Sequence, residues 1–154
     1  MSWDILIQDF GEYAEFSDIP DDFAPKPIGQ RSAIIKAIQT GVPEANFSDP
    51  SWGMVDTIDG SIEISIGEGE VCDSVMLHVR GGEAIYKRVV DIVALIPGRA
   101  ADMATGEFFD PKTSDKSFES WREYRDHGAA VQGSESVKES LLKRLVSRIF
   151  GPIH

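Results

Sequence analysis

Apolar and polar residues alternate along several short runs of the chain. In the first run, Trp3, Ile5 and Ile7 share one face, and Leu6 is the exception to the pattern. A two-residue period predicts a β strand that buries one face against a core. We expect strands in this run and in four other segments, so that the predicted strands are residues 3–8, 54–58, 61–66, 75–80 and 99–103.

Turns and helices are predicted between these strands. Asp59-Gly60 is a strong hairpin signal, because the pair suits the tight turn between two antiparallel strands. Apolar residues at helical spacing predict helices at residues 28–39 and 85–96, each followed by glycine and proline. The acidic stretch that follows the first strand contains three prolines, which predicts a long loop.

The C-terminal third adds two predicted helices, at residues 115–126 and 136–150, with a glycine-containing hinge at residues 128–133. Without the loops, the elements before them follow the order β-α-β-β-β-α-β. This order predicts an α+β fold of ferredoxin-like type with one inserted strand, in which an antiparallel sheet carries its helices on one face. We expect residues 1–127 to form the α+β domain. Residues 128–154 are predicted to form a hinge and an amphipathic helix that belongs to the same domain or serves as a dimerisation appendage.

Composition narrows the class of protein. The chain has 154 residues, of which 42% are hydrophobic, and this is enough for one domain with a buried core. Its one cysteine, Cys72, forms no internal disulfide, and the N-terminal residues lack the pattern of a signal peptide. The most apolar run is far shorter than the ~20 residues of a membrane-spanning helix. A cytoplasmic protein without a membrane partner is therefore expected.

Negative charge is concentrated in the first half of the chain. Residues 1–79 contain fifteen Asp and Glu against three Lys and Arg, whereas residues 80–154 contain eleven against twelve. Such a surface repels nucleic acid and attracts cations or basic proteins. We predict a basic protein partner and no nucleic acid. The expected partner-binding residues are Asp9, Glu12, Glu15, Asp18, Asp21, Asp22, Asp59, Glu68 and Glu70.

The last predicted helix has the opposite charge. It carries Lys138, Lys143, Arg144 and Arg148 beside an apolar stripe. Packing on the acidic half of its own chain or of a neighbouring chain fits this helix better than a membrane or nucleic acid does. A homodimer through the C-terminal helix is therefore predicted.

One group of residues has the composition of an acid-base site. Glu63, His78 and Arg80 point to the side of the predicted strands opposite the helices, where Asp4 and Gln8 can join them. A histidine beside a carboxylate is suited to proton transfer, and an arginine can hold an anion. The alternative is a solvated sheet face with cross-strand ion pairs. We assign no catalytic residue from the sequence.

Metal and cofactor motifs are lacking in the sequence. The acidic loop lacks the spacing of a calcium-binding loop, and none of the three histidines is spaced with another His or Cys as a zinc site requires. Gly81-Gly82 precedes a predicted helix but lacks the remaining residues of a phosphate-binding loop. We therefore predict neither a metal nor a cofactor.

Five strings resemble a set of small acidic bacterial proteins of unassigned activity. They are WDILIQD at residues 3–9, IPDDF at 19–23, FSDPSWG at 47–53, LHVRGG at 77–82 and FFDP at 108–111. The resemblance covers residues 1–126 and implies no catalytic residue. In size and acidity the chain is also similar to immunity proteins that neutralise secreted bacterial toxins, including those of type VI systems. That similarity is one of type and not of motif.

Three functions are therefore considered from the sequence. The first is a cytoplasmic immunity protein that blocks a toxin, such as a nuclease, with its acidic surface. The second is a small enzyme or ligand-binding domain that uses Glu63, His78 and Arg80. The third is a structural or regulatory protein of another kind.

Overall fold

The computed structural model describes residues 2–109, in which short alternating strands build a seven-stranded antiparallel sheet. The sheet has the order β3-β4-β5-β7-β1-β8-β9, and β2 and β6 form a separate two-stranded ribbon. The elements are β1 Trp3–Gln8, a 3-10 helix Phe16–Asp18, β2 Gly29–Gln30, α1 Arg31–Gly41, β3 Asn46–Asp49, β4 Trp52–Thr57, β5 Gly60–Ser65, β6 Val71–Cys72, β7 Ser74–Gly81, α2 Glu83–Leu95, β8 Arg99–Asp102 and β9 Glu107–Phe109.

The main core lies between the sheet and the two helices. Trp3, Ile5 and Ile7 of β1 point into this core, as the two-residue alternation predicts, and all three are fully buried. Both helices bury one apolar stripe against the strands, with Ile38 of α1 and Ile92 of α2 completely inaccessible. The helices therefore cover one face of the sheet, which we call the helix face.

A second, smaller core lies on the outward face, opposite the helices. Residues 9–23, which we call the strap, cross this face after β1. Their apolar side chains pack on Leu6, Met76 and Ala101 of the three central strands; the strap residues in this cluster are Phe10, Tyr13, Phe16, Ile19 and Phe23. Leu6 breaks the alternation of β1 because it is buried under the strap.

The only cysteine of the chain is in the two-stranded ribbon. Cys72 of β6 pairs with Gly29 of β2, and its side chain is 2% exposed. The thiol lies 3.2 Å from the carbonyl oxygen of Ser74. Burial raises the pKa of the Cys72 thiol, and a backbone hydrogen bond with Ser74 that favours the thiolate only partly offsets this effect.

The predicted ferredoxin-like β-α-β-β-β-α-β plan is wrong. Residues 47–53, predicted to be only a turn, overlap the edge strand β3, and residues 99–109 form a hairpin of β8 and β9 instead of one short strand. The described residues thus carry nine strands in two sheets against two α-helices. Strands of two to four residues are too short to show the alternation of apolar and polar residues. The sequence pattern therefore does not identify them as strands.

Other predictions about elements have different outcomes. The hairpin at Asp59-Gly60 is confirmed, since Thr57 pairs with Gly60 across it. The first helix begins at Arg31 and not at Ile28, because Gly29 and Gln30 pair with β6. The two C-terminal helices, the hinge and the domain boundary after residue 127 lie outside the described residues.

Candidate functional site

The strap covers only part of the outward face, and the remainder is open. On this remainder β4, β5, β7 and the start of β1 present Trp52, Met54, Glu63, Arg80, His78 and Asp4, a set that we call the open face. The register aligns Glu63 with His78 and His78 with Asp4. The structure thus brings together Glu63, His78 and Arg80, as their alternation along the strands predicts. Gln8 is not part of this group, because it is buried and accepts a hydrogen bond from Ser74.

Asp4 and His78 form the closest polar pair on the open face. His78 Nδ1 lies 3.0 Å from Asp4 Oδ1, which also accepts a hydrogen bond of 2.7 Å from the Ser2 hydroxyl. An ionised carboxylate can only accept, so the shared hydrogen is on Nδ1. The second ring nitrogen, Nε2, is then the one that can accept a proton from another group. The pair therefore has the geometry of an oriented acid-base residue.

Opposing effects act on the pKa of Asp4. Burial disfavours the ionised carboxylate, but the hydrogen bonds from His78 and Ser2, with the nearby charge of Arg80, outweigh it. The pKa of Asp4 is therefore lower than its ordinary value. Asp4 is ionised at neutral pH and holds the imidazole in one orientation.

Trp52 and Arg80 complete the open face on either side of this pair. The Trp52 indole stacks on the His78 imidazole, with ring centres 6.0 Å apart and planes at 20°. Arg80 lies 3.3 Å from a carboxylate oxygen of Glu63, and half of the Arg80 side chain is exposed. Ion pairs this exposed add little to stability, since water competes for both partners. The face is therefore polar and accessible.

The predicted partner-binding carboxylates lie on three loops. The strap carries six of them: Asp9, Glu12, Glu15, Asp18, Asp21 and Asp22. Five are exposed; Asp9 is half-buried and accepts a hydrogen bond from the amide of Gly11. Asp59 is exposed at the tip of the β4–β5 hairpin, whereas Glu68 and Glu70 are exposed in the loop before β6. The strap is thus the largest group of these residues, and Asp59, Glu68 and Glu70 are separate from it in the chain.

The strap has a defined conformation because aromatic rings and one arginine hold it. Phe10 contacts Phe16 and Phe108 edge-on, with ring centres 5.5 and 5.4 Å apart. The Arg99 guanidinium lies 3.6 Å from the centre of the Phe108 ring and donates hydrogen bonds to the carbonyls of Tyr13, at 2.7 Å, and Gly11, at 3.2 Å. These contacts fix the backbone that carries the acidic side chains.

Sequence reasoning missed the role of three residues: Trp52, Phe108 and Arg99. Trp52 was placed in a turn, although it begins β4. Arg99 follows a Pro-Gly pair, and the sequence predicts it only as the first residue of a strand. No local pattern identifies a contact between residues 86 or more positions apart, so neither Arg99 nor Phe108 carried a usable signal.

The net charge of the described region is strongly negative. Residues 2–109 include nineteen Asp and Glu against seven Lys and Arg. Within this range, three or more His, Cys, Asp or Glu side chains are nowhere grouped as metal ligands would be. Neither α1 nor α2 has the length and hydropathy that crossing a membrane requires.

Comparison with known protein families, with curated proteins and with solved structures gives no match. The geometry of the open face and of the strap is therefore the basis for the functional argument.

Proposed function

We propose that this protein binds a basic protein through its acidic surface, and most concretely that it is an immunity protein that neutralises a bacterial toxin. The observation that carries the proposal is the strap, in which exposed carboxylates are fixed on a rigid sheet by the aromatic cluster and Arg99. A surface that is already ordered loses little conformational entropy when it binds.

Charge gives the proposal its physical basis. A nuclease toxin must present basic residues to phosphate groups, and a carboxylate-rich surface can occupy the same residues. Opposite charges also accelerate the encounter of the two proteins, an effect that salt weakens. Together these effects support an inhibitor that associates rapidly and covers the active site of its target.

The test begins with the partner. The tagged chain is purified from its native cells, the bound protein is identified, and the toxicity of that protein is measured with and without this chain. A basic partner whose toxicity disappears on co-expression is expected. A partner that is acidic, or harmless when expressed alone, would contradict the proposal.

The strap is then tested by reversing charge. Changing Asp18, Asp21 and Asp22 together to Lys should slow association with that partner and flatten its salt dependence, as measured by stopped-flow kinetics. The control changes Asp73, Asp91 and Glu107 to Lys, which alters net charge equally on other elements. An association rate that is unchanged at low salt, or reduced equally in the control, would exclude the strap as the contact surface.

A small enzyme or ligand-binding domain is the second candidate. The observation in its favour is the oriented Asp4–His78 pair beside Glu63 and Arg80. If the open face performs chemistry, His78→Ala should abolish turnover and leave the fold intact, because the His78 side chain is 27% exposed and contributes little to the core. Lost stability without any lost activity would identify His78 as structural. The cytoplasmic location and the homodimer through the C-terminal helix stay predictions.

A further inference from the structure

We infer that the open face is part of the same contact, and that Trp52 anchors it by receiving a Lys or Arg side chain of the basic partner on its indole. The inference rests on the proposed function, since it names where the basic partner is held. It also answers a question that charge alone leaves open, which is whether the strap or the open face meets that partner.

Trp52 is exposed to solvent and also packs against a neighbouring ring. Trp52 is 40% exposed, although tryptophan is usually among the most buried residues. Its ring stacks on His78, which is itself held by Asp4, so one side of the indole already has a partner. An exposed aromatic ring that is already packed on one side has the character of a binding hot spot.

Charge complementarity identifies the occupant. Asp4, Glu63 and Asp56 project from the same side of the sheet as Trp52, against one arginine, Arg80, which is paired with Glu63. A cation above an indole is attracted by the ring, and carboxylates near it add to that attraction. The described region of a second copy suits the face less well, because its nineteen Asp and Glu against seven Lys and Arg would repel the carboxylates of the face.

Trp52 and the strap lie close together on the outward face of the sheet. The strap packs on Met76, which lies two residues from His78 on the same side of β7. Trp52 pairs with Ser65, which in turn pairs with Met76, so Trp52 lies two strands, or about 10 Å, from a strand that the strap covers. One partner of ordinary interface size can cover both.

The test uses a nine-residue arginine peptide as the probe and the full-length protein at low salt. Trp52→Ala should weaken binding of the peptide about fivefold in calorimetry, as expected for loss of one cation–ring contact. Trp52→Phe should retain part of the affinity. The matched control is Ile58→Ala, which removes a fully exposed apolar side chain at the hairpin tip and should have no effect. The indole N–H resonance of Trp52 should shift when the peptide binds.

The outcomes separate this inference from the proposed function. If Trp52→Ala binds as wild type does while the Asp18, Asp21 and Asp22 triple variant loses affinity, the inference is wrong and the acidic surface stands. If Trp52→Ala loses affinity and the triple variant does not, the open face alone holds the peptide, which overturns the inference that the strap and the open face form one contact. Equal binding of a nine-residue glutamate peptide, no binding by the wild type, or self-association that Trp52→Ala abolishes would each overturn the inference.

Discussion

The two halves of the outward face share strands β1 and β7 and differ in what covers them. Leu6 of β1 and Met76 of β7 lie under the strap and are at most 6% exposed, whereas Asp4 and His78, two residues away on the same strands, are open to solvent. Where the strands present apolar side chains, the strap is anchored; where they present polar pairs, the sheet stays uncovered. Stability is thus concentrated in one half and accessible chemistry in the other.

The aromatic cluster should show the largest difference between the two halves. Phe10 is fully buried between the strap and the sheet, so Phe10→Ala removes a large side chain and leaves a cavity. We expect the free energy of unfolding to fall by about 3–5 kcal/mol in urea denaturation.

Trp52→Ala is the matched variant for the open half. It also removes a large aromatic ring, but one that is 40% exposed, so its cost should be about 1–2 kcal/mol and clearly below that of Phe10→Ala. Equal losses in the two variants would show that both halves contribute alike to the folded state and would remove the contrast.

Arg99 offers a smaller test, because it holds the strap without belonging to its apolar core. Arg99→Met keeps the side-chain stem and removes the hydrogen bonds to Gly11 and Tyr13 together with the cation–ring contact to Phe108. We expect a loss of about 1–2 kcal/mol. Hydrogen exchange of the Ile19 and Phe23 amides should also become faster, because both belong to turns within the strap.

The equivalent change on the open face is Arg80→Met. It removes only a half-exposed ion pair with Glu63, so the expected loss is at most about 0.5 kcal/mol.

For the Arg99→Met variant, unchanged exchange of the Ile19 and Phe23 amides would mean that the aromatic cluster alone fixes the strap.

Another small expected effect concerns Asp4 and depends on pH. Its folded pKa lies below the ordinary value of 3.8, so the ionised carboxylate stabilises the fold above that value, and this contribution is lost as the pH falls through the folded pKa. Asp4→Asn keeps the shape and removes the charge. The wild type should exceed it in stability by less than about 1 kcal/mol at neutral pH, since the pair is partly exposed.

Urea midpoints of the wild type and Asp4→Asn, measured from pH 7 to pH 2, test this expectation. The two curves should converge below the ordinary pKa. A difference that stays constant or grows on acidification would show that the charge of Asp4 does not stabilise the fold.

The sequence predicted the elements whose pattern repeats over several residues. Alternation identified β1, β5 and β7, and with them the shared side of Glu63, His78 and Arg80, because side-chain direction in a strand follows from parity alone. It could not identify the strap. Phe10, Phe16 and Ile19 are spaced without a period among acidic residues and prolines, so they resemble a solvated loop.

The ferredoxin-like plan failed for a related reason. β3 and β9, which were not predicted, have four and three residues, and they are strands because neighbouring strands pair with them. Pairing of this kind depends on tertiary contacts that override local preference. The Trp52–His78 stack was missed for the same reason, since it joins residues that approach only when β4, β5 and β7 align.

The buried thiol of Cys72 can be used to measure local opening of the fold. Because a raised pKa keeps the sulfur protonated at neutral pH and the fold excludes solvent from it, an alkylating reagent can react only when the structure around Cys72 opens. The chain has no other cysteine, so the labelling rate of the unmodified protein measures how often that region opens, without an introduced probe.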